Sequence, residues 1–446
     1  MNWLLDLNSS VNSIVWGPPM MIVLIGTGII LTIATKGVQF RRFGFAARQV
    51  LGRHGRAAGE GTVKPFQALA TSLSATVGVG NIAGVSIALT SGGPGAVFWM
   101  FFTGLVGMAT KFAEIAVALE YRQKDDAGIM RGGAMYVLAK RFNMAWLGAI
   151  FAGFCALAAF GIGNMTQANT VATAMRATYG VPDWVSGLVL AALTGLVVLG
   201  GIRRIAEVAS VLVPVMCGLY VAAALFVLLS NWSALPGVFQ LVISSAFTGQ
   251  AAVGGFAGAT VRSAMQAGIA RGLFSNEAGL GSAPMVHATA VTDHPVRQAT
   301  YGIFGTFVDT LLVCTLTAGT VLSTGVWSSG LTGAELTGQA FNVGLPGEWG
   351  GQLITLALAP FAFSTIIGWS YYGETGFTYL FGVRTNLPYR IAWIVAVYVG
   401  ATGGLQVIWQ ISDTLNALMA IPNLVAVLGS VGFLQQRMRE FFAEHG

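Results

Sequence analysis

Apolar stretches long enough to cross a bilayer recur along the whole chain, and every second gap between them is basic. A hydrocarbon core of about 30 Å needs about 20 helical residues. Lipid satisfies no backbone polar group, so such stretches must fold as helices. The sequence predicts eleven spans, at 18–36, 66–90, 96–120, 146–175, 184–201, 205–229, 248–270, 298–323, 350–372, 389–405 and 408–433. Composition agrees: 55% of the 446 residues are hydrophobic and only 9% are charged, whereas a soluble domain carries about 25% charged residues. The chain reads as one all-α polytopic membrane domain, 1–446. Sixty glycines suit close helix approach in lipid.

Charge orients the spans. The first gap holds Lys36, Arg41, Arg42, Arg48, Arg53, Arg56 and Lys64, and the third holds Arg122, Lys124, Arg131, Lys140 and Arg141. With Arg203, Arg204, Arg271, Arg297, Arg384, Arg390, Arg437 and Arg439, twenty of the 23 basic residues fall on one side. The positive-inside rule then puts the N-terminus outside and the C-terminus in the cytoplasm. Residues 231–247 read as an external connector with a short helix, and 324–349 as an external loop. No Lys or Arg precedes Lys36, so the start does not read as a cleavable signal. A net charge of +6 spread over alternate gaps gives no continuous face for nucleic acid. Cys155, Cys217 and Cys314 lie within spans and read as free, packed thiols. His54, His287, His294 and His445 read as solvated residues of loops and tail.

The first span, 18–36, stands apart, and ten remain. They divide into five plus five, 66–229 and 248–433, entering the membrane from opposite sides. The first helix of each half carries a glycine-rich interruption: Thr76-Val77-Gly78-Val79-Gly80-Asn81-Ile82-Ala83-Gly84, and Val253-Gly254-Gly255-Phe256-Ala257-Gly258-Ala259. Glycine is the poorest helix former after proline. Unwound backbone at membrane depth needs a substrate, an ion or water. Paired interruptions in corresponding places point to a transporter's binding site, although GxxxG spacing also serves helix packing. Gly78-Val79-Gly80-Asn81-Ile82-Ala83 also fits the dinucleotide pattern G-x-G-x-x-A. That chemistry needs a preceding strand and an acid about 20 residues on; no acid occurs between Glu60 and Glu114.

A helix break offers two ligands at once. The second half-helix begins with free N–H groups and a positive dipole end, suited to a carboxylate. The first half ends in carbonyls, suited to a cation. Asn81 can coordinate there or hold the break. The run Gly161-Ile162-Gly163-Asn164-Met165-Thr166-Gln167 is polar inside a span. Gln167 either reads the ends of an amino acid or hydrogen-bonds between helices. Ser364 and Thr365 offer hydroxyl oxygens to a small cation, or bond back to their own helix. Trp369, one turn on, closes a small pocket or simply packs. Among charged residues within spans, Lys111 and Glu114 are spaced to pair. Asp309 and Arg262 lie at depths that let them pair or act as a gate or proton site. No carboxylates converge and no Ser–His–Asp or metal spacing occurs, which disfavours an intramembrane enzyme; a channel has no need of two inverted broken helices.

Ala70-Thr71-Ser72-Leu73-Ser74-Ala75-Thr76-Val77-Gly78-Val79-Gly80-Asn81-Ile82-Ala83-Gly84-Val85 resembles a signature of the alanine or glycine:cation symporter family. So does Gly268-Ile269-Ala270-Arg271-Gly272-Leu273-Phe274-Ser275-Asn276-Glu277-Ala278-Gly279-Leu280-Gly281-Ser282-Ala283-Pro284. The resemblance implies a LeuT-type 5+5 inverted repeat with one extra N-terminal helix. It implies uptake of alanine, glycine or both, coupled to Na+ or protons, in a prokaryotic inner membrane. By the same resemblance, substrate lies against Thr76, Gly78, Gly80 and Asn81, with Gln167, Trp369 and the second break at Gly255, Phe256 and Gly258. Sodium is expected at Ser74, Val77, Ser364 and Thr365, and Glu277 is given an inner-gate role. A site of hydroxyls and carbonyls favours sodium; Asp309 keeps proton coupling open, and transport of another small zwitterion by the same fold is a further alternative.

Overall fold

The computed structural model describes residues 2–52, 59–248, 260–403 and 406–445. Among these, seven helices are long and apolar enough to cross a membrane: Asp6–Ala34, Gly95–Glu120, Ala145–Tyr179, Gly201–Ser230, Pro295–Ser323, Gly350–Phe381 and Gln410–Leu428. An eighth is the pair Pro65–Thr76 and Gly80–Gly92, bent by 52° where the sequence placed the first interruption. Asp183–Val198 and Asn386–Thr402 are shorter helices of 16 and 17 residues. The second interruption, with Gly255, Phe256 and Gly258, lies outside the described residues.

Proline sets several starts. Pro18, Pro65 and Pro295 each occupy a first-turn position, where the missing N–H costs nothing and φ is already helical. Inside the membrane helices Pro214 and Pro360 are tolerated, because neighbouring helices re-satisfy freed backbone groups. The external loop contains a helix, Gly333–Gly344, where composition predicted none. Its buried face, Leu336, Thr337, Ala340 and Phe341, is amphipathic spacing hidden between glycines. Thr337 Oγ1 donates to Ile82 O at 2.9 Å, so this helix rests on the broken helix.

The helices pack in two groups. Gly95–Glu120 packs against Val261–Asn276 and Pro295–Thr306, with Pro18–Ala34 along its outer side. Ala145–Tyr179 and Asp183–Val198 pack against Gly350–Phe381 and Asn386–Thr402. The broken helix touches both groups, through Pro295–Thr306 and through Gly350–Phe381. Small residues permit these approaches. A Cβ on Gly368 would lie 2.6 Å from Ser74 Oγ, and one on Gly78 would collide with Thr365 Oγ1.

Two loop readings are corrected. Arg131 is buried, not solvated: it pairs with Asp125 at 2.8 Å and Glu374 at 3.2 Å. Arg390 holds the same Glu374 at 2.6 Å. His287 is also buried and meets Gln298 Nε2 through Nδ1 at 3.0 Å.

Candidate functional site

Three helices widen locally into i→i+5 turns, at Gly80–Gly84, Ala159–Met165 and Phe307–Cys314. Such turns leave carbonyls poorly paired and are frequent at functional sites. Two of them meet at one polar bracket. Asn81 Oδ1 accepts from Gly78 N at 2.9 Å, across the break. Asn81 Nδ2 donates to Asp309 Oδ1 at 2.7 Å and to Asp309 O at 3.1 Å. Ser275 and Thr310 donate to Asp309 Oδ2 at 3.0 and 2.7 Å. Asn81 therefore holds the break, and its side chain is turned to Asp309. Arg262 is exposed, so the Asp309–Arg262 pairing read from helix depth does not occur; Asp309 finds its partners among neutral donors instead.

A small cavity of about 20 Å³ lies beside the break, room for little more than one water. Thr76, Gly78, Gly80, Gln167 and Trp369 line it, with Thr365. The sequence reading missed other lining residues, among them the side chains of Phe274, Ser275 and Asn416, and gave Glu277 only a gate. Gln167 Nε2 donates to Ile162 O in the second wide turn at 3.0 Å. Its Oε1 has no hydrogen-bond partner among the described residues, and neither has Asn416 Oδ1. Glu277 ends the helix Val261–Asn276 in left-handed geometry, φ 55°. Its Oε1 accepts from Trp369 Nε1 at 3.1 Å and its Oε2 from Ser282 Oγ at 2.5 Å. Trp369 is only 1% exposed; a Cβ on Gly163 would collide with it, so that glycine is what admits the indole.

The residues that line the cavity thus include acceptors, Gln167 Oε1, Asn416 Oδ1 and the Glu277 carboxylate, and the broken helix at Gly78–Gly80, where a helix start offers N–H groups. An ammonium suits the acceptors and a carboxylate the helix start.

Two of the expected cation ligands, Thr365 and Ser74, lie at this junction of the broken and the long helix. Thr365 faces Gly78, and Ser74 faces Gly368. Val77 leaves helical geometry at ψ 93°. Ser364 Oγ and Thr365 Oγ1 both donate to Phe361 O, at 2.8 and 3.1 Å, and Ser74 Oγ donates to Thr71 O at 2.8 Å. Each hydroxyl spends its proton on its own helix, which leaves its oxygen lone pairs free for a cation.

Lys111 and Glu114 do not form an ion pair. Glu114 Oε1 accepts from Gly279 N at 2.9 Å and Asn423 Nδ2 at 2.5 Å, and Lys111 Nζ has no hydrogen-bond partner among the described residues. Lys111 instead lines a chamber of about 10 Å³ with Ser72, Thr76, Asn276, His287 and Asp309. That is about the room one water requires.

The family model described as the sodium:alanine symporter family matches residues 1–445. A protein named sodium/alanine symporter AgcS, from Methanococcus maripaludis, is 45% identical over 98% of this chain and 97% of its own. A probable sodium/glutamine symporter, GlnT of Bacillus subtilis, is 38% identical over 93% of this chain and 86% of its own. Among solved structures, MhsT in complex with L-phenylalanine superposes with a TM-score of 0.51 at 15% identity, covering 82% of this chain and 90% of that one. That likeness shows a LeuT-type fold.

Proposed function

The chain belongs to the sodium:alanine symporter family, and from that premise we propose that it couples sodium influx to uptake of small neutral amino acids, alanine, glycine or both. The observation that carries the reading is the polarity of the cavity. Its lining combines the unpartnered acceptors of Gln167 and Asn416 with a helix broken at Gly78–Gly80. A zwitterion satisfies both; a cation or an anion alone satisfies one. The Trp369 wall suits a short side chain, and a cavity of about 20 Å³ must widen to admit even that.

Sodium is the coupling ion in this reading. The oxygens of Ser74, Ser364 and Thr365, with the Val77 carbonyl, supply a neutral oxygen site at the junction of broken and unbroken helices. A cation bound there pulls the two helix groups together beside the substrate, so ion and substrate favour the same closed arrangement. Exchange of that arrangement between the two membrane faces gives alternating access, with the C-terminus in the cytoplasm. Proton coupling is the second reading, because Asp309 adjoins the break through Asn81. Uptake of labelled alanine into proteoliposomes, with sodium and proton gradients imposed separately, decides. Accumulation driven by the proton gradient alone would overturn the sodium reading.

A further inference from the structure

At the foot of the helix Pro18–Ala34 lies a cavity of about 380 Å³ that transport leaves unused. It is lined by Lys36, Arg41, Arg42 and Arg439, with Gln435 and Phe442 among its walls. The chain reaches it through two consecutive left-handed residues, Lys36 at φ 56° and Gly37 at φ 66°. They turn the backbone sharply from the membrane helix into Val38–Arg41. The opposite wall is one face of the last helix, Val431–His445: Gln435, Met438, Arg439 and Phe442 follow i, i+3, i+4, i+7 spacing.

No carboxylate neutralises the cations here among the described residues, although Arg439 Nε donates to Gln435 O at 3.3 Å. The closing carbonyls of Pro18–Ala34 are already satisfied: Leu31 O by Thr35 N, Thr32 O by Gly37 N, Ile33 O by Lys36 N, and Ala34 O by Gln435 Nε2 at 2.9 Å. Among the described residues none of the four cations lies in an ion pair. The nearby acids are engaged elsewhere, Glu440 and Glu120 both by Arg437. Arg42 is held at 4.2 Å over the Phe442 ring, which fixes its guanidinium without neutralising it. Directly above, the membrane helix shows lipid a row of exposed apolar residues, Ile22, Ile30 and Ile33, the last 72% exposed. Phe40 is also exposed beside the turn.

The geometry points to a binding site for an anionic phospholipid: its phosphodiester sits among Lys36, Arg41, Arg42 and Arg439, and an acyl chain lies along Ile22, Ile30 and Ile33. Guanidinium forks match phosphate oxygens in pairs, and basic recesses between membrane helices on the cytoplasmic side take phospholipid headgroups. The inference rests on the membrane reading of the chain and not on its substrate. The lipid would bridge the helix outside the ten paired spans to the last helix, adding to the Gln435–Ala34 hydrogen bond between them.

Native mass spectrometry of the purified protein, titrated with phosphatidylglycerol and separately with phosphatidylcholine, tests the assignment. Phosphatidylglycerol is expected to bind and phosphatidylcholine to be retained far less. The pair Arg41→Gln/Arg439→Gln changes two exposed, unpaired residues and leaves the Arg42–Phe442 contact in place. It should weaken phosphatidylglycerol binding about 30-fold, and Arg41→Lys/Arg439→Lys should restore most of it. Equal binding of the two lipids, or no change in the glutamine pair, overturns the proposal. An excess of inorganic phosphate should not displace the lipid; full displacement would make this a free-phosphate site and overturn the lipid assignment.

Discussion

The indole Nε1 of Trp369 donates to Oε1 of Glu277 across 3.1 Å, joining the long helix Gly350–Phe381 to the end of Val261–Asn276 at the wall of the cavity. The contact ties one helix group to the other. It also spends one carboxylate oxygen that would otherwise face the cavity unpaired. Trp369→Phe keeps an aromatic wall and removes only the donor. A hydrogen bond to a charged group is worth about 1.5–3 kcal/mol, so alanine transport should fall about 10–100-fold with the order of competing amino acids unchanged. Trp369→Leu removes the wall as well. Alanine binding should weaken, and serine-sized or larger neutral amino acids should compete better. Competition against labelled alanine in both variants measures this; an unchanged competitor order in a folded, active Trp369→Leu would show that another residue sets the size limit.

Asn81 closes the break on itself through Gly78 and holds Asp309 on the other side. Asn81→Ala would leave Gly78 N and the Asp309 carboxylate each short of a partner in a buried place. Removing one partner of a buried polar pair costs about 1–3 kcal/mol, more for a charged group. Transport should drop at least about tenfold. Asn81→Asp keeps the acceptor for Gly78 N but sets two carboxylates together, and should be worse than Asn81→Ala. Uptake rates normalised to folded protein in detergent check the order; Asn81→Asp transporting better than Asn81→Ala would mean that the donation to Asp309 is not what Asn81 supplies.

The first break was legible because glycines at 78, 80 and 84 fall inside a segment that must otherwise be helix. Gln167 and Trp369 were legible because polar and bulky residues stand out in an apolar span. Contacts between distant spans were not. Asn81 and Asp309 are 228 residues apart, and nothing in either neighbourhood announces the other. Asp309 was matched with Arg262 by depth alone, which ignores which way each helix face turns. Lys111 and Glu114 have pairing distance on a helix, yet Glu114 is taken by Asn423 and Gly279. Arg131 and His287 sit in segments whose composition reads as loop, and burial there depends on the helices folded over them. Ser275 had a signal of a kind, since it belongs to the long motif ending at Pro284, but the motif does not say which of its side chains faces the cavity.

Glu374 is held by Arg131 and Arg390 together, with Arg390 reaching both of its oxygens, at 2.6 and 3.1 Å. Breaking a buried pair from one side leaves uncompensated charge and costs about 3–5 kcal/mol. Glu374→Gln deprives Arg390 of its carboxylate and leaves Arg131 with Asp125 alone. The melting temperature of the purified protein should fall clearly, while the sodium concentration for half-maximal transport in the folded fraction stays as in the wild type. A variant with wild-type melting would mean that water, and not Glu374, compensates these arginines.

Orientation rests on charge alone and has a direct measurement. With twenty of 23 basic residues in alternate gaps, a reporter fused after Gly446 should be active only in the cytoplasm. Activity outside would require an odd number of spans to be added to or lost from the eleven, and would overturn the span count.

The hydroxyls of Ser364 and Thr365 already have one duty, donation to Phe361 O. That duty needs only their protons. If they also ligate sodium, it is through lone pairs, and the two roles separate by substitution. Ser364→Ala/Thr365→Ala removes two of the four oxygens expected around the ion, and the Phe361 carbonyl keeps its helical bond. Helix stability should therefore change little, whereas sodium affinity should fall. A cation–oxygen contact on the scale of a charge-assisted hydrogen bond, about 1.5–3 kcal/mol, predicts a rise of about 10–100-fold in the sodium concentration for half-maximal uptake. Substrate binding measured at saturating sodium should fall less than sodium affinity, since Ser364 is outside the cavity lining and Thr365 is not one of its unpartnered acceptors. Thr365→Ser keeps the oxygen and loses only a methyl, so it should stay close to the wild type. An unchanged sodium dependence in the double alanine variant would confine both hydroxyls to the helix and move the ion elsewhere along the break.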